Sequence, residues 1–144
     1  MAFMILLNTI VVALFFLLFF SRHIELPSAY LWGIRLGLLM LFLGSVEGMA
    51  MILHNAHTVG LSDGGPGLPF LNWSTKAGDL RAAHLLGLHA AQILPLAGFA
   101  IGRWTPQLPP ARQTALLVAF AAVYFAVTAA LFVQALHGRS LIAM

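Results

Sequence analysis

Apolar residues fall into four long runs along this chain, separated by three more polar connections. An α-helix needs roughly 20 predominantly apolar residues to cross the hydrocarbon core of a bilayer. Runs of that length with so few charges indicate membrane-spanning helices rather than buried helices of a soluble domain. The pattern therefore predicts spans at about residues 1–20, 29–53, 80–101 and 112–136. We expect an all-α fold, a transmembrane four-helix bundle in one domain over residues 1–144.

Polar residues and prolines mark the predicted ends of these spans. Ser28 precedes the second apolar run and Asp79 precedes the third, and both residue types are favoured as helix N-caps. Pro106, Pro109 and Pro110 separate the third run from the fourth, because proline interrupts a helix. The first run has no basic stretch ahead of it and no small-residue cleavage site behind it, so it is interpreted as a retained span.

One connection is much longer than the others, at about residues 57–78, and it is rich in glycine and proline. Loops of this length inside a compact domain are usually functional. Leu68, Pro69, Phe70 and Trp73 make the connection too apolar for a freely solvated linker. We therefore predict an ordered loop that folds back over one end of the bundle.

Composition excludes several classes of protein. The chain is 61% hydrophobic and only 8% charged, whereas about a quarter of the residues of a soluble domain are charged. The formal net charge is +3, without a basic stripe, so a nucleic-acid partner is excluded. The sequence contains no cysteine, which excludes disulfides, thiolate ligands and cysteine nucleophiles. Any metal must use histidine, carboxylate or carbonyl ligands.

The distribution of basic residues predicts the orientation in the membrane. Positive residues prefer the cytoplasmic ends of spans. The first and third connections carry Arg22, Arg103 and Arg112, and Arg35 lies one or two turns inside the second span, from where its side chain can reach back to the same end. The opposite end carries Lys76, Arg81 and Arg139, and no basic residue precedes the first span. We expect both termini and the long loop to lie on the outer, non-cytoplasmic side of the membrane.

Five of the six histidines belong to the end that carries the long loop, and four of them form a shallow layer: His54, His57, His84 and His137. The spacing of His54 and His57 lets both rings approach one point on a helix face. Imidazole binds Fe, Cu and Zn alike. This layer predicts a bound haem b or a metal ion, with His54, His57 and His84 as ligands and His137 as a fourth ligand or a neighbour.

A deeper layer pairs an acid with an imidazole. By helix rise, Glu47 and His89 each lie about 15 Å in from the long loop. An ionisable residue at such depth usually faces the bundle interior and meets a partner. Glu47 and His89 are therefore predicted to form a proton relay or to tune the cofactor. The alternative is that Glu47 only fixes helix register, protonated or hydrogen-bonded to His89, Gln92 or water.

Small residues on the second span indicate close helix packing. Gly33, Gly37, Gly44 and Gly48 form two patterns of small residues four apart, which permit a neighbouring helix to approach closely. The second span is expected to be central. The same glycines also make a homo-oligomer through this helix a reasonable expectation.

Part of the chain resembles a family of small uncharacterised bacterial membrane proteins. The residues that carry the resemblance cover about a third of the sequence: His57-Thr58-Val59-Gly60, Gly64-Gly65-Pro66-Gly67-Leu68-Pro69, Asn72-Trp73-Ser74-Thr75, Asp79-Leu80-Arg81, His84, Gly87-Leu88-His89 and Leu94-Pro95. The resemblance implies a bacterial inner-membrane location and brings no activity with it.

Two better-known classes are also similar in architecture. Membrane cytochromes of the b561 kind are four-helix bundles that hold haem between histidines, and His54 or His57 with His84 would suit one such haem. Membrane di-iron hydroxylases also have four spans and paired histidines. Their pattern needs about eight histidines, including adjacent pairs, and this chain has six and no adjacent pair.

Three functions remain open at this stage. The first is a redox or metal protein that is embedded in the lipid bilayer and holds haem b or a Cu, Fe or Zn ion. If it is an enzyme, it is expected to be an oxidoreductase, with a quinone as its partner. The second is an accessory or assembly subunit of a larger respiratory or photosynthetic membrane complex. The third is a small proton-coupled carrier that uses Glu47.

Overall fold

The computed structural model describes residues 2–142, and within them four helices form an all-α bundle. The helices are α1 (Ala2–Ser21), α2 (Ser28–His54), α3 (Arg81–Trp104) and α4 (Pro110–Leu136). Each helix is long and apolar enough to cross a membrane. The predicted transmembrane four-helix bundle is confirmed.

Helix α2 lies at the centre of the bundle and contacts each of the other three helices. Its contact with α3 is the closest, because glycines leave the two backbones almost touching. A Cβ atom on Gly33 would lie 2.6 Å from the carbonyl oxygen of Leu94, and one on Gly44 would lie 2.8 Å from the Cα atom of Gly87. The glycine face of α2 is therefore occupied by α3 of the same chain, and is not free for a second copy.

The helix ends differ from the prediction in small ways. Helix α2 already includes Ser28, whose hydroxyl lies 2.9 Å from that of Thr114 on α4. Thr114 donates its own proton to the Pro110 carbonyl, so Ser28 is the donor and ties α2 to α4 rather than capping α2. Helix α4 begins at Pro110, two positions before Arg112, because proline fits the first helical position without losing a hydrogen bond.

Arg35 fastens the end of α1 to α2. Its Nε donates a 2.9 Å hydrogen bond to the carbonyl oxygen of Phe19, one of the free carbonyls in the last turn of α1. The guanidinium carbon also lies 5.2 Å from the ring centre of Phe20 and 5.3 Å from that of Trp32. Because α1 packs mainly against α2, this contact holds a helix that has little other support.

The long connection is ordered, as predicted. Strand β1 (Thr58–Val59) pairs antiparallel with β2 (Gly78–Asp79), and Gly67 forms a further bridge with Ser74. Both strands contact α4, and Gly78 lies against the backbone of Ala135. The loop therefore covers the end of the bundle at which α4 finishes.

The apolar tip of this loop does not cover the bundle. Phe70 is fully exposed and has a φ of 65°, and Leu71 is also exposed. Leu68 and Trp73 are half-buried, and they are joined by a 2.8 Å hydrogen bond from the Leu68 N–H to the Trp73 carbonyl. Phe70, one of the apolar residues from which the ordered loop was predicted, therefore does not cover the helices, because the tight turn points its side chain away from them.

Candidate functional site

Four of the histidines lie at one end of the bundle. Consecutive helices run in opposite directions, so the end of α2, the start of α3 and the end of α4 come together beside the long loop. His54, His57, His84 and His137 belong to this end. His23 lies exposed in the connection between α1 and α2, at the other end.

Two of these histidines bind only their own helices. The Nδ1 atoms of His54 and His137 lie 2.8 Å from the carbonyl oxygens of Ala50 and Val133, one turn earlier in each helix. Both residues are exposed. Their rings therefore lie along α2 and α4 and do not approach a common point.

His57 belongs to the loop. Its Nδ1 lies 3.4 Å from Oδ1 of Asp63 and 3.2 Å from the hydroxyl oxygen of Thr58. The hydrogen bond from the Thr58 side chain has the largest effect on the pKa of the Asp63 carboxyl and lowers it. Desolvation opposes this effect, but the backbone hydrogen bonds from His57 and Thr58 add to it, and the pKa lies below its usual range. The backbone N–H groups of His57 and Thr58 both donate to this carboxylate. His57 therefore helps to fold the loop.

His84 is the histidine that reaches between helices. Its Nδ1 lies 2.7 Å from the carbonyl oxygen of Gly44 on α2. Within residues 2–142, no three histidine, aspartate or glutamate side chains lie close enough together to hold a metal ion. The expected meeting of His54, His57 and His84 around one centre is not present, because their rings bond to separate partners.

A cavity of about 510 Å³ lies between α1, α2 and α3, and His84 lines it. The other polar side chains in its wall are Asn8, Thr9 and Ser45. Thr9 and Ser45 donate their hydroxyl protons to the carbonyl oxygens of residues 5 and 41 in their own helices. Their oxygens consequently remain as acceptors in a wall that is otherwise apolar.

Glu47 and His89 do not form the predicted pair. Glu47 lines a different cavity, between α2 and α4, and its Oε2 atom is buried without a hydrogen-bond partner in the part of the chain that the structure describes. His89 is exposed on α3. Gly48 faces α3, and the preceding residue on a helix points about 100° away. Glu47 is therefore turned from α3 towards α4.

The residues of the resembling motif mostly build the loop. A small polar cavity of about 130 Å³ collects His57, Gly64, Asn72, Ser74 and Arg81, among others. Arg81 binds the carboxylate of Asp79 with two nitrogens, at 2.9 and 2.7 Å, and also donates to the Asn72 carbonyl.

Asp79 is the anchor of this motif. Its carboxylate also accepts the backbone N–H groups of Ser74 and Arg81 at 2.8 and 3.1 Å. Burial raises the pKa of Asp79, but the hydrogen bonds from Arg81 and Ser74 outweigh burial, and the net pKa lies below its usual range. Asp79 was predicted to be the N-cap of α3, but Leu80 occupies that position. The Asp79 carboxylate nevertheless accepts the backbone N–H of Arg81, the first residue of the helix.

Sequence reasoning missed three residues of the α1–α2–α3 cavity. Asn8 and Thr9 are the polar interruption in the first apolar run, and this signal was available in the sequence. Ser45 lies among the glycines of α2 and resembles one more small packing residue. The cavity needs α1, which contains no histidine, and so a search for histidines does not find it.

Comparison with protein-family models, with curated proteins and with solved structures gave no match for this chain. The resemblance to small bacterial membrane proteins therefore stays an expectation from the sequence.

Proposed function

We propose that this membrane protein binds a lipophilic hydroxylated ring compound of the quinol class in the cavity between α1, α2 and α3. The observation that carries the proposal is the hydrogen bond between His84 and Gly44. A carbonyl oxygen only accepts hydrogen bonds, so Nδ1 of His84 must carry the proton. In the neutral ring the other nitrogen, Nε2, then has a free lone pair.

The wall of the cavity selects for ligands that donate hydrogen bonds. Nε2 of neutral His84 and the hydroxyl oxygens of Thr9 and Ser45 are acceptors. Asn8, whose amide both donates and accepts, completes the polar set. A quinol offers two O–H groups to such a wall, whereas the oxidised quinone offers none. The volume of about 510 Å³ lies within the range of small-molecule sites.

The experiment is a binding measurement with a short-chain alkyl benzoquinol and with the corresponding quinone, at pH 8 in lipid nanodiscs. We expect the wild-type protein to bind the quinol about tenfold more tightly, as the loss of one buried hydrogen bond implies. His84→Ala should remove this preference. His54→Ala is the matched control, because the His54 ring bonds only to its own helix. Equal affinity for both ligands in the wild type would contradict the proposal.

The same preparation tests the haem and metal alternative. A haem b would show a Soret band, and a Cu, Fe or Zn ion would appear at one equivalent in elemental analysis. Either signal, lost on His84→Ala, would replace the quinol by a cofactor that uses His84 as a ligand. The donor set favours the quinol, since a single imidazole reaches this cavity and the other shallow histidines do not.

A second candidate function is that of a subunit in a larger membrane complex. His89 and Gln92 are exposed on α3, close to the middle of a helix that spans from Arg81 to Trp104. Polar side chains at this depth usually contact protein rather than lipid. If this function is correct, the native complex extracted from membranes should be larger than the purified chain, and His89→Leu with Gln92→Leu should release it.

We further propose that the membrane is the inner membrane of a bacterium, with the long loop outside. Arg22, Arg103 and Arg112 lie at the end of the bundle opposite to this loop. Arg35, which bonds to the last turn of α1, lies near the same end, so that end has four basic residues and the loop end has three. Such an excess favours the cytoplasm for the end that carries it. If this orientation is correct, Gly65→Cys in the long loop should react with a membrane-impermeant maleimide added to intact cells, whereas Arg103→Cys should react only after the cells are opened.

A further inference from the structure

A second cavity lies on the other side of α2, between this helix and α4. Its volume is about 500 Å³, and its walls are apolar apart from Glu47 and Thr128. The apolar surface includes Phe125 and Phe132 on α4. We call this cavity the Glu47 groove. It is separate from the His84 cavity, since the two share no lining residue.

One oxygen of the Glu47 carboxyl group, Oε2, is buried in this groove without a hydrogen-bond partner among the described residues. Thr128, the other polar residue of the wall, uses its hydroxyl proton on the Tyr124 carbonyl at 3.0 Å. No lysine, arginine, histidine or aspartate of the described chain lines the groove. The groove therefore holds a potential negative charge that no described residue of its lining balances.

The depth of the group makes this imbalance costly. By helix rise, Glu47 lies about 10 Å below the end of α2 at His54. An unpaired carboxylate in apolar surroundings is strongly unfavourable, and either a proton or a cation must neutralise it. His89, the deep titratable group on α3, is exposed on that helix and makes no ion pair with Glu47 in the described structure.

We propose that the Glu47 groove binds a lipophilic organic cation in exchange for a proton. A metal ion does not suit this donor set, because hard cations require several oxygen ligands and one carboxylate supplies two at most. An ammonium or phosphonium centre with an apolar body suits it well. The centre pairs with the carboxylate, the body lies along the apolar walls, and the rings of Phe125 and Phe132 offer cation–π contacts.

The exchange conserves charge within the membrane. Without a ligand the carboxyl group keeps its proton and is neutral. When the cation binds, the O–H bond of the carboxyl breaks, the proton leaves to water, and the carboxylate and the cation form a neutral pair. One proton is therefore released for each cation bound, and a rise in pH should strengthen binding.

Titration calorimetry with tetraphenylphosphonium, in nanodiscs and in two buffers of different ionisation enthalpy, tests this proposal. We expect about one proton released for each cation bound. Glu47→Gln should weaken binding at least about tenfold and abolish the proton release. Glu25→Gln removes a carboxylate from the exposed connection between α1 and α2, and it is the matched control. Circular dichroism and gel filtration would verify that the variants remain folded.

A second variant tests the role of the groove independently of the carboxyl group. Ala129→Phe places a ring in the groove and leaves Glu47 intact, so it should weaken cation binding while quinol binding in the His84 cavity stays unchanged. Equal binding of the cation by wild type and Glu47→Gln, or binding without proton release, would overturn the proposal. Neither result depends on whether the quinol assignment is correct.

Discussion

The imidazole of His84 on α3 lies 2.7 Å from the backbone carbonyl of Gly44 on α2. This contact depends on a second glycine one turn later. A Cβ atom on Gly48 would lie 2.8 Å from Cε1 of the His84 ring. The position of the His84 ring therefore follows from the absence of side chains at Gly44 and Gly48 of α2. So does the proton on Nδ1 rather than on Nε2, since Nδ1 is the nitrogen that bonds to the Gly44 carbonyl.

The first prediction is that Gly48→Ala weakens quinol binding without unfolding the bundle. The added methyl group must displace the His84 ring, which loses its bond to Gly44 and its fixed position in the cavity. Affinity should fall about tenfold, close to the effect of losing one hydrogen bond. Gly102→Ala is the control, because the nearest atom to a Cβ there is 3.8 Å away. Unchanged affinity in Gly48→Ala would show that the ring position does not matter.

The second prediction concerns the attachment of α1. Arg35→Met removes the hydrogen bond to the Phe19 carbonyl and the contacts with the rings of Phe20 and Trp32. The expected loss is roughly 1 kcal/mol, from a cation at a helix C-terminus and from cation–π contacts. Thermal unfolding in detergent should show a lower Tm than wild type. Arg112→Met, which removes an exposed arginine, should leave the Tm unchanged.

The third prediction is an acid transition of the long loop. The pKa of Asp79 is lower in the folded chain than in the unfolded chain, whose carboxyl has an ordinary pKa of about 3.9. The stabilisation from Asp79 is therefore complete well above about pH 4 and is lost as the pH falls through the lower, folded value. Proteolysis of residues 57–78 by an acid protease should accelerate over that range.

Asp79→Asn is the variant that checks the origin of this transition. The amide cannot form the ion pair with Arg81, so the loop should already be protease-sensitive at pH 7 and should change little on acidification. The helices should stay intact, because Asp79 lies outside the spans. An acid transition of the same size in Asp79→Asn would point to another carboxyl group.

The fourth prediction concerns topology. Gly65→Cys in the long loop and Arg103→Cys near the end of α3 should react with a membrane-impermeant maleimide from opposite sides of the membrane. Gly65 is suitable because no atom lies within 4 Å of a Cβ placed there, and Arg103 is exposed. Labelling of both positions from one side would contradict four crossings.

The helices could be predicted from the sequence because the bilayer imposes a minimum length on any apolar run. The observed helices differ from the predicted spans by a few residues at their ends. Pro110, for example, starts α4 and does not only precede it. The loop was predicted to be ordered from its apolar content, although the exposure of Phe70 could not be read from that content.

The arrangement of the histidines could not be predicted in the same way. Depth along the membrane follows from counting residues, and the four shallow histidines do share one end. The direction in which a side chain points depends on the rotation of its helix about the helix axis, and the packing of small residues sets this rotation. Gly44 and Gly48 turn one face of α2 to α3, which carries Glu47 away from His89. The rings of His54 and His137 bond along their own helices for purely local reasons.

The near-contact of the α2 and α3 backbones has a mechanical consequence. Because α2 has glycine at positions 33, 37 and 44, few side chains that could rearrange lie between α2 and α3. The two helices should therefore move as one rigid unit. The His84 cavity lies on one side of this helix pair and the Glu47 groove lies on the other. Each is completed by a helix that packs less closely, α1 or α4. A bulky ligand in one cavity would thus be accommodated by movement of the outer helix that completes that cavity. The strain would not pass through the α2–α3 pair to the other cavity.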